Sequence, residues 1–121
     1  MKNQTYRMTM LYDFYGELLT DRQKEFFDLY YNEDLSLGEI AENNGISRQG
    51  VRDVIVRAEA TMQEFEDKTG LIRRFRQMQE SINVIVESAA ELKTINYRQY
   101  EDPRIESLVS AISQAAQTLK E

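Results

Sequence analysis

The chain has 121 residues, a formal net charge of −6, and neither cysteine nor histidine. A chain of this length can close one hydrophobic core without disulfides or metals. The composition excludes disulfide frameworks, zinc fingers, cysteine nucleophiles and histidine general bases. With one proline and five glycines, the sequence has too few turn residues for a chain of short strands, so we predict an all-α fold.

Membrane and catalytic signals are both missing from the sequence. No apolar run approaches the about 20 residues that cross a bilayer, and the N-terminus lacks the apolar core of a signal peptide. We therefore expect a cytoplasmic protein without membrane insertion. We find no Gly-rich phosphate loop, metal-ligand cluster or nucleophile–base pair. The expectation is a non-enzymatic protein with no catalytic residues, no metal site and no cofactor.

Apolar spacing and capping motifs predict six helices. Capping boxes at Thr20-x-x-Gln23 and Ser36-x-x-Glu39 open the second and third helices, and Asp102 caps the last one. We expect a domain of residues 1–70, formed by an N-terminal helix and a helix-turn-helix, followed by a two-helix C-terminal extension, residues 71–121. In chain order the predicted helices cover about residues 5–18, 20–31, 36–44, 47–67, 71–97 and 102 onward.

The third and fourth predicted helices have the spacing of a helix-turn-helix. Ala41 is small where the second helix of the motif crosses the first, and Gly45, four residues later, takes the tight turn. Ile46, Val51 and Val54 are predicted to fill the angle between the two helices. This combination of a small residue, a glycine and spaced β-branched residues makes the motif fairly specific.

The N-terminal residues of the second helix in such a motif face base edges in the major groove. Arginine pairs there with guanine and glutamine with adenine. The candidate nucleic-acid-binding residues are therefore Arg48, Gln49 and Arg52, with Ser47 and Arg57 within reach of phosphates. The alternative interpretation is that these side chains are ordinary exposed polar residues on a packing module.

The charge around the motif argues against DNA. Residues 20–66 carry five Lys/Arg and eleven Asp/Glu, so the whole net charge of −6 lies there. An acidic segment does not attract nucleic acid through its overall field, and specific operators usually demand a positive footprint. We therefore favour docking to a protein or to RNA over DNA binding, and we keep both hypotheses.

A local basic cluster follows the fourth predicted helix and consists of Lys68, Arg73, Arg74 and Arg76. Arg73 and Arg76 are three residues apart, whereas Arg74 points elsewhere, so the cluster does not form one clean helix face. We interpret it mainly as a solvated junction between helices. Its functional alternative is a set of phosphate contacts to RNA or DNA.

The fifth predicted helix carries apolar residues at heptad spacing. One interpretation packs this stripe on the last and first helices of the same chain. The other makes part of it a symmetric dimer interface, which Ile72 and Val86 favour because they widen the stripe beyond one neighbouring helix. We expect a homodimer. The candidate dimer residues are Leu71, Phe75, Met78, Ile82, Ile85, Ala89 and Leu92.

Several segments of this sequence resemble region 4 of bacterial sigma factors. An additional segment rich in tyrosine and phenylalanine, Met10 to Gly16, gives a closer resemblance to the YlxM family of bacterial proteins. The resemblance covers about residues 8–75. Its segments are residues 10–16, 18–25, 30–31, 34–41, 45–53, 57–59 and 69–71.

The resemblance to the YlxM family implies a small cytoplasmic helix-turn-helix protein associated with the signal recognition particle. That association rests on gene neighbourhood with the GTPase subunit of the particle. The resemblance brings no catalytic residues. The expected partners are the GTPase or the RNA of the signal recognition particle, and the alternative function is a dimeric DNA-binding transcriptional regulator.

Overall fold

The fold is all-α, as predicted from the sequence. The computed structural model describes residues 5–121, and within that range it contains six α-helices and no strand. A single 3₁₀ turn follows α1, and a π-helical turn, Asn96–Tyr100, follows α5. The helices are α1 (Thr5–Tyr15), α2 (Asp21–Tyr31), α3 (Leu37–Asn44), α4 (Arg48–Thr69), α5 (Leu71–Ile95) and α6 (Pro103–Lys120).

The chain divides into two compact units, Met1–Ile72 and Arg73–Glu121. The boundary falls inside α5, two residues after the predicted start of the C-terminal extension. The first unit carries eight Lys/Arg and fourteen Asp/Glu, and the second carries seven of each. The net charge of −6 therefore lies entirely in the first unit, and the second unit is neutral.

The start of α2 is built by the predicted capping box. The Thr20 hydroxyl accepts a hydrogen bond from the backbone N–H of Gln23 at 3.2 Å, and the Gln23 side chain accepts one from the Thr20 N–H at 3.0 Å. Before it, α1 ends earlier than predicted, since residues 16–18 form a 3₁₀ turn. Within this 3₁₀ turn Leu18 is 56% exposed and lies outside the core, whereas the next residue, Leu19, is buried.

The core of the first unit is organised around α4. Val51, Ile55, Ala58 and Met62 are fully buried and recur every three or four residues, so they form one stripe along this helix. Burying each large apolar side chain contributes about 1.5–3 kcal/mol. The buried residues that complete this cluster come from α1, α2, α3, the residue before Thr20 and the first turn of α5: Met8, Leu11, Tyr15, Leu19, Phe26, Phe27, Tyr30, Ile40, Ala41 and Ile72.

A buried tyrosine ties α1 to the end of α4. The Tyr15 hydroxyl donates to Glu66 Oε1 at 2.7 Å and lies 2.7 Å from Thr69 Oγ1. The same Glu66 oxygen accepts from the backbone N–H of Ile72 at 2.9 Å. Because the first N–H groups of a helix have no partner within it, this carboxylate also stabilises the first turn of α5.

In the second unit, α5 passes into α6 through a turn centred on a buried amide. Asn96 is 4% exposed; its Nδ2 donates to the Asp102 carbonyl and its Oδ1 accepts from the Asp102 N–H, both at 2.9 Å. The Asp102 carboxylate then accepts from the Arg104 N–H at 2.8 Å, as the N-cap of α6. Instead of one α-helix to about residue 97, as predicted, α5 ends at Ile95 and widens into the π-helical turn.

We predict that Tyr15 makes folding stability sensitive to alkaline pH. Burial of the phenol raises the pKa of Tyr15 above its usual value near 10, so the folded state keeps a proton that the unfolded chain loses. Its contribution is fully present below about pH 10 and declines as the pH rises further. Urea titrations at pH 7, 9 and 11 should show a smaller alkaline loss of unfolding free energy in Tyr15→Phe than in the wild type.

The substitution Tyr15→Phe should also cost about 1–3 kcal/mol at pH 7, because the Glu66 carboxylate loses a donor. Tyr97→Phe, at a position 77% exposed, is the matched control and should leave the unfolding free energy at pH 7 close to that of the wild type. Identical alkaline losses in wild type and Tyr15→Phe would contradict the role assigned to Tyr15.

Candidate nucleic-acid interface

The helix-turn-helix consists of α3, the turn at residues 45–47 and α4. The Ser36 hydroxyl accepts from the Glu39 N–H at 3.1 Å, and the Glu39 carboxylate accepts from the Ser36 N–H at 3.3 Å. Gly45 ends α3 with φ +65°, a left-handed conformation that favours glycine. Ser47 then caps α4 by accepting from the backbone N–H of Gly50 at 3.0 Å.

Packing between the two helices follows the predicted spacing. Ala41 is 5% exposed and Val51 is fully buried, as the motif requires. Ile46 and Val54, also predicted to fill the interhelical angle, are partly buried and pack against the same core. Ile55, which the motif did not single out, is fully buried as well and continues the stripe one helical turn beyond Val51.

All five predicted nucleic-acid-binding residues, Ser47, Arg48, Gln49, Arg52 and Arg57, are exposed. They do not share one side of α4, however. Successive residues of an α-helix are rotated by about 100°. Positions 48 and 52 therefore lie about 40° apart on one flank, whereas position 57 lies about 140° round from position 52, on the other flank.

The middle of the outward face lies between these flanks and is not cationic. Gln49 and Asp53 are both exposed there, and Gln49 Nε2 donates to Asp53 Oδ1 at 2.8 Å. The amide that would read adenine is thus engaged with a carboxylate of its own helix. Val56, 37% exposed, continues this face one turn further along α4.

Arg48 lies against α3, a contact that the sequence pattern did not reveal. A Cβ atom built on Gly38 would lie 3.0 Å from the Nε of Arg48. The guanidinium therefore occupies space that the missing side chain of Gly38 leaves open, beside a cleft whose walls include Tyr30 and Ser36. We call Arg48, Arg52 and the adjoining first turn of α3 the arginine flank.

The predicted basic junction is divided between the two units. Lys68 belongs to the first unit, where its Nζ lies 2.9 Å from Glu64 Oε1 in an exposed ion pair. Arg73, Arg74 and Arg76 are exposed in the first turns of α5 and belong to the second unit. The four residues therefore do not form a single surface within either unit.

The predicted seam of α5 consists of two kinds of positions. Ile82 and Ala89 are both 2% exposed, so they are buried within the single chain. The other five residues of the seam, which are between 38% and 51% exposed, are Leu71, Phe75, Met78, Ile85 and Leu92.

Among residues 5–121, no cluster of three or more acidic side chains is placed to hold a metal ion. None of the helices described there combines the length and the apolar character needed to cross a bilayer.

Comparison with known proteins places this chain among helix-turn-helix proteins. A family model described as "Putative helix-turn-helix protein, YlxM / p13 like" matches residues 2–101. A UPF0122 protein of Thermoanaerobacter sp. (strain X514) is 43% identical over 112 residues, 93% of this chain and 92% of that protein. A UPF0122 protein of Caldanaerobacter subterraneus is 52% identical over 80 residues, 66% and 68% of the two chains. The protein YlxM of Bacillus subtilis (strain 168) is 41% identical over 109 residues, 90% and 93% of the two chains.

Two glycine substitutions should distinguish a glycine that is needed for its backbone conformation, Gly45, from one that only leaves space for a neighbouring side chain, Gly38. Gly45→Ala forces a left-handed conformation on an L-residue and should lower the unfolding free energy by about 1–2 kcal/mol. Gly38→Ala, inside α3, adds helix propensity of about 1 kcal/mol, and its Cβ meets only the flexible end of Arg48. Urea denaturation should therefore show a loss for Gly45→Ala and no loss for Gly38→Ala; equal losses would contradict this account of the turn.

Proposed function

The chain belongs to the YlxM / p13-like family of helix-turn-helix proteins, and we propose that it is a non-enzymatic accessory protein of the signal recognition particle pathway. In this proposal it docks the RNA or the GTPase subunit of the particle through the arginine flank. The proposed pathway rests on what the resemblance to the YlxM family implies. The proposed surface rests on the geometry of α4 and is tested separately.

One observation carries the choice of surface. Arg48 and Arg52 lie one helical turn apart and are exposed together, and Arg48 rests beside the first turn of α3. A guanidinium contacts phosphate or carboxylate through two parallel hydrogen bonds, and the N-terminus of α4, which has no acidic residue in its first turn, adds partial positive charge. The flank is thus a local cationic edge on a unit whose net charge is −6.

The same geometry favours RNA over duplex DNA. Base reading in a major groove needs the outward face of α4, and there Gln49 is hydrogen-bonded to Asp53. The major groove of A-form RNA is too deep and narrow for a helix to enter, so proteins contact RNA helices mainly through phosphates and 2′-hydroxyls. A cationic edge suits that form of contact. Contact with a carboxylate surface of the GTPase subunit would use the same two arginines.

A DNA-binding regulator is the second candidate, supported by the exposed N-terminal half of α4 in a helix-turn-helix. A helix seated in the major groove has a phosphate backbone along each side. Arg52 and Arg57, on opposite flanks of α4, would then both contact phosphates. The two candidates therefore differ in their dependence on Arg57.

We predict that the arginine flank supplies most of the affinity for RNA. Arg48→Ala and Arg52→Ala should each weaken binding to signal recognition particle RNA about tenfold, or about 1.4 kcal/mol, because each removes a charge-assisted contact. Each should also lower the slope of log affinity against log salt by about one. Arg57→Ala is the matched control, since it removes the same charge from the same helix, and should change the affinity less than about twofold.

The full-length protein is titrated with the RNA, with the GTPase subunit and with mixed duplex DNA, each at two salt concentrations. Binding to the GTPase alone, lost in Arg52→Ala, retains the proposal with a protein partner. Nanomolar duplex binding that falls in both Arg52→Ala and Arg57→Ala would establish the DNA-binding alternative. The absence of binding to both the RNA and the GTPase would overturn the accessory proposal.

A further inference from the structure

The second unit is an antiparallel helical hairpin, since the turn joins Asn96 to Asp102 and Lys93 Nζ lies 3.7 Å from Glu106 Oε1. Ile82 and Ala89 on α5, and Val109 and Ala116 on α6, are only 2–3% exposed. Counting from Asn96 and Asp102 along the two antiparallel helices places Ala89 level with Val109, and Ile82 level with Ala116. A large residue therefore faces a small one in each layer. The next layer is the hydrogen-bonded pair Asn96 and Asp102, which sets this register.

Apolar side chains recur three residues after each buried position of the hairpin. A step of three residues rotates the side chain about 60° away from the neighbouring helix. Because α5 and α6 run in opposite directions, the same step on both helices turns toward the same side of the pair. The side chains in question are Ile85, Leu92, Ile112 and Leu119, which are 43%, 48%, 42% and 59% exposed.

Two more residues extend this surface in the same direction. Met78, four residues before Ile82, is 51% exposed, and Leu108, one residue before Val109, is 62% exposed. We call the whole apolar surface the open face: Met78, Ile85, Leu92, Leu108, Ile112 and Leu119. Val84, two residues after Ile82, points away from α6, about 100° round α5 from Ile85, and is 62% exposed.

We propose that the open face binds the open face of a second copy of this chain, so that α5 and α6 of two chains form a four-helix bundle. In such bundles two positions of each heptad are buried. One of them, represented by Ile82 and Ala89, is buried here within the hairpin. The other, represented by Met78, Ile85 and Leu92, is left exposed by a single chain.

The size of the open face supports a stable dimer. Six large apolar side chains, each about half exposed, present a few hundred Å² of apolar surface, about the largest apolar patch that monomeric proteins expose. Standard protein interfaces bury about 800 Å² on each partner, including a polar rim. The polar residues that flank these six side chains on two helices of 18 and 25 residues supply that rim.

The charge of the hairpin supports a second copy as the partner. Residues 73–121 carry seven Lys/Arg and seven Asp/Glu, so the hairpin offers no net charge to attract a strongly acidic or basic partner. Two neutral hairpins do not repel each other either. A surface with the same apolar pattern on both helices is self-complementary under a two-fold axis, which is the commonest symmetry of protein dimers.

The test is the mass of the full-length protein in solution, measured by sedimentation equilibrium from about 5 to 100 µM. We expect twice the chain mass of 14.2 kDa. Ile85→Glu should raise the dimer dissociation constant at least about 100-fold, because it places an unpaired carboxylate in the apolar interface. Val84→Glu, which adds the same charge at the neighbouring position of α5, pointing away from α6 and out of the open face, should stay dimeric.

Ile112→Glu tests the same face from α6 and keeps the test valid if Ile85→Glu fails to fold, as judged by circular dichroism. A wild-type mass of one chain at 100 µM would overturn the proposal. So would a dimer that persists in both folded open-face variants, or one that is lost in Val84→Glu alone. None of these outcomes depends on whether the protein binds RNA, so this proposal and the proposed function can fail separately.

Discussion

The burial of one stripe of α4 determines what the helix-turn-helix unit can present to a partner. Val51, Ile55, Ala58 and Met62 have no exposed surface, and a close-packed core does not allow the helix to roll about its axis. The rotation of α4 is therefore fixed by apolar packing. It places a neutral and acidic strip in the middle of the outward face and arginines on the two flanks. The proposed contact surface is therefore determined by the core and not by the motif alone.

Local rules made most of the fold predictable from the sequence. The capping box at Thr20 depends on residues close together in the chain, and so does the left-handed turn at Gly45. Ile55, which completes the buried stripe one helical turn beyond Val51, was not singled out because the motif itself does not fix that position. The π-helical turn was not predictable, because it depends on Asn96 meeting the backbone of Asp102 six residues away.

The candidate site was predictable as a set of residues but not as a surface. The motif predicted that these residues are exposed. Whether they form one surface depends on their angular positions around α4, which place Arg57 and Arg52 on different flanks. Two side-chain contacts could not be read from spacing. The hydrogen bond from Gln49 to Asp53 depends on rotamers, and Arg48 reaches Gly38 because the two helices cross closely there. Together these two contacts favour binding through charge over reading of bases. A dimer would carry two arginine flanks, and binding through both at once would strengthen weak individual contacts through avidity.

The central claim is that the flank formed by Arg48, Arg52 and the first turn of α3 is the contact surface. Its most direct test is a two-dimensional ¹⁵N NMR titration of the full-length protein with signal recognition particle RNA, following backbone amides and arginine side chains. We predict that the perturbed signals lie in the first two turns of α4 and the first turn of α3, with the side-chain signals of Arg48 and Arg52 among the largest changes. Perturbations confined to α6, with α4 unchanged, would contradict the account.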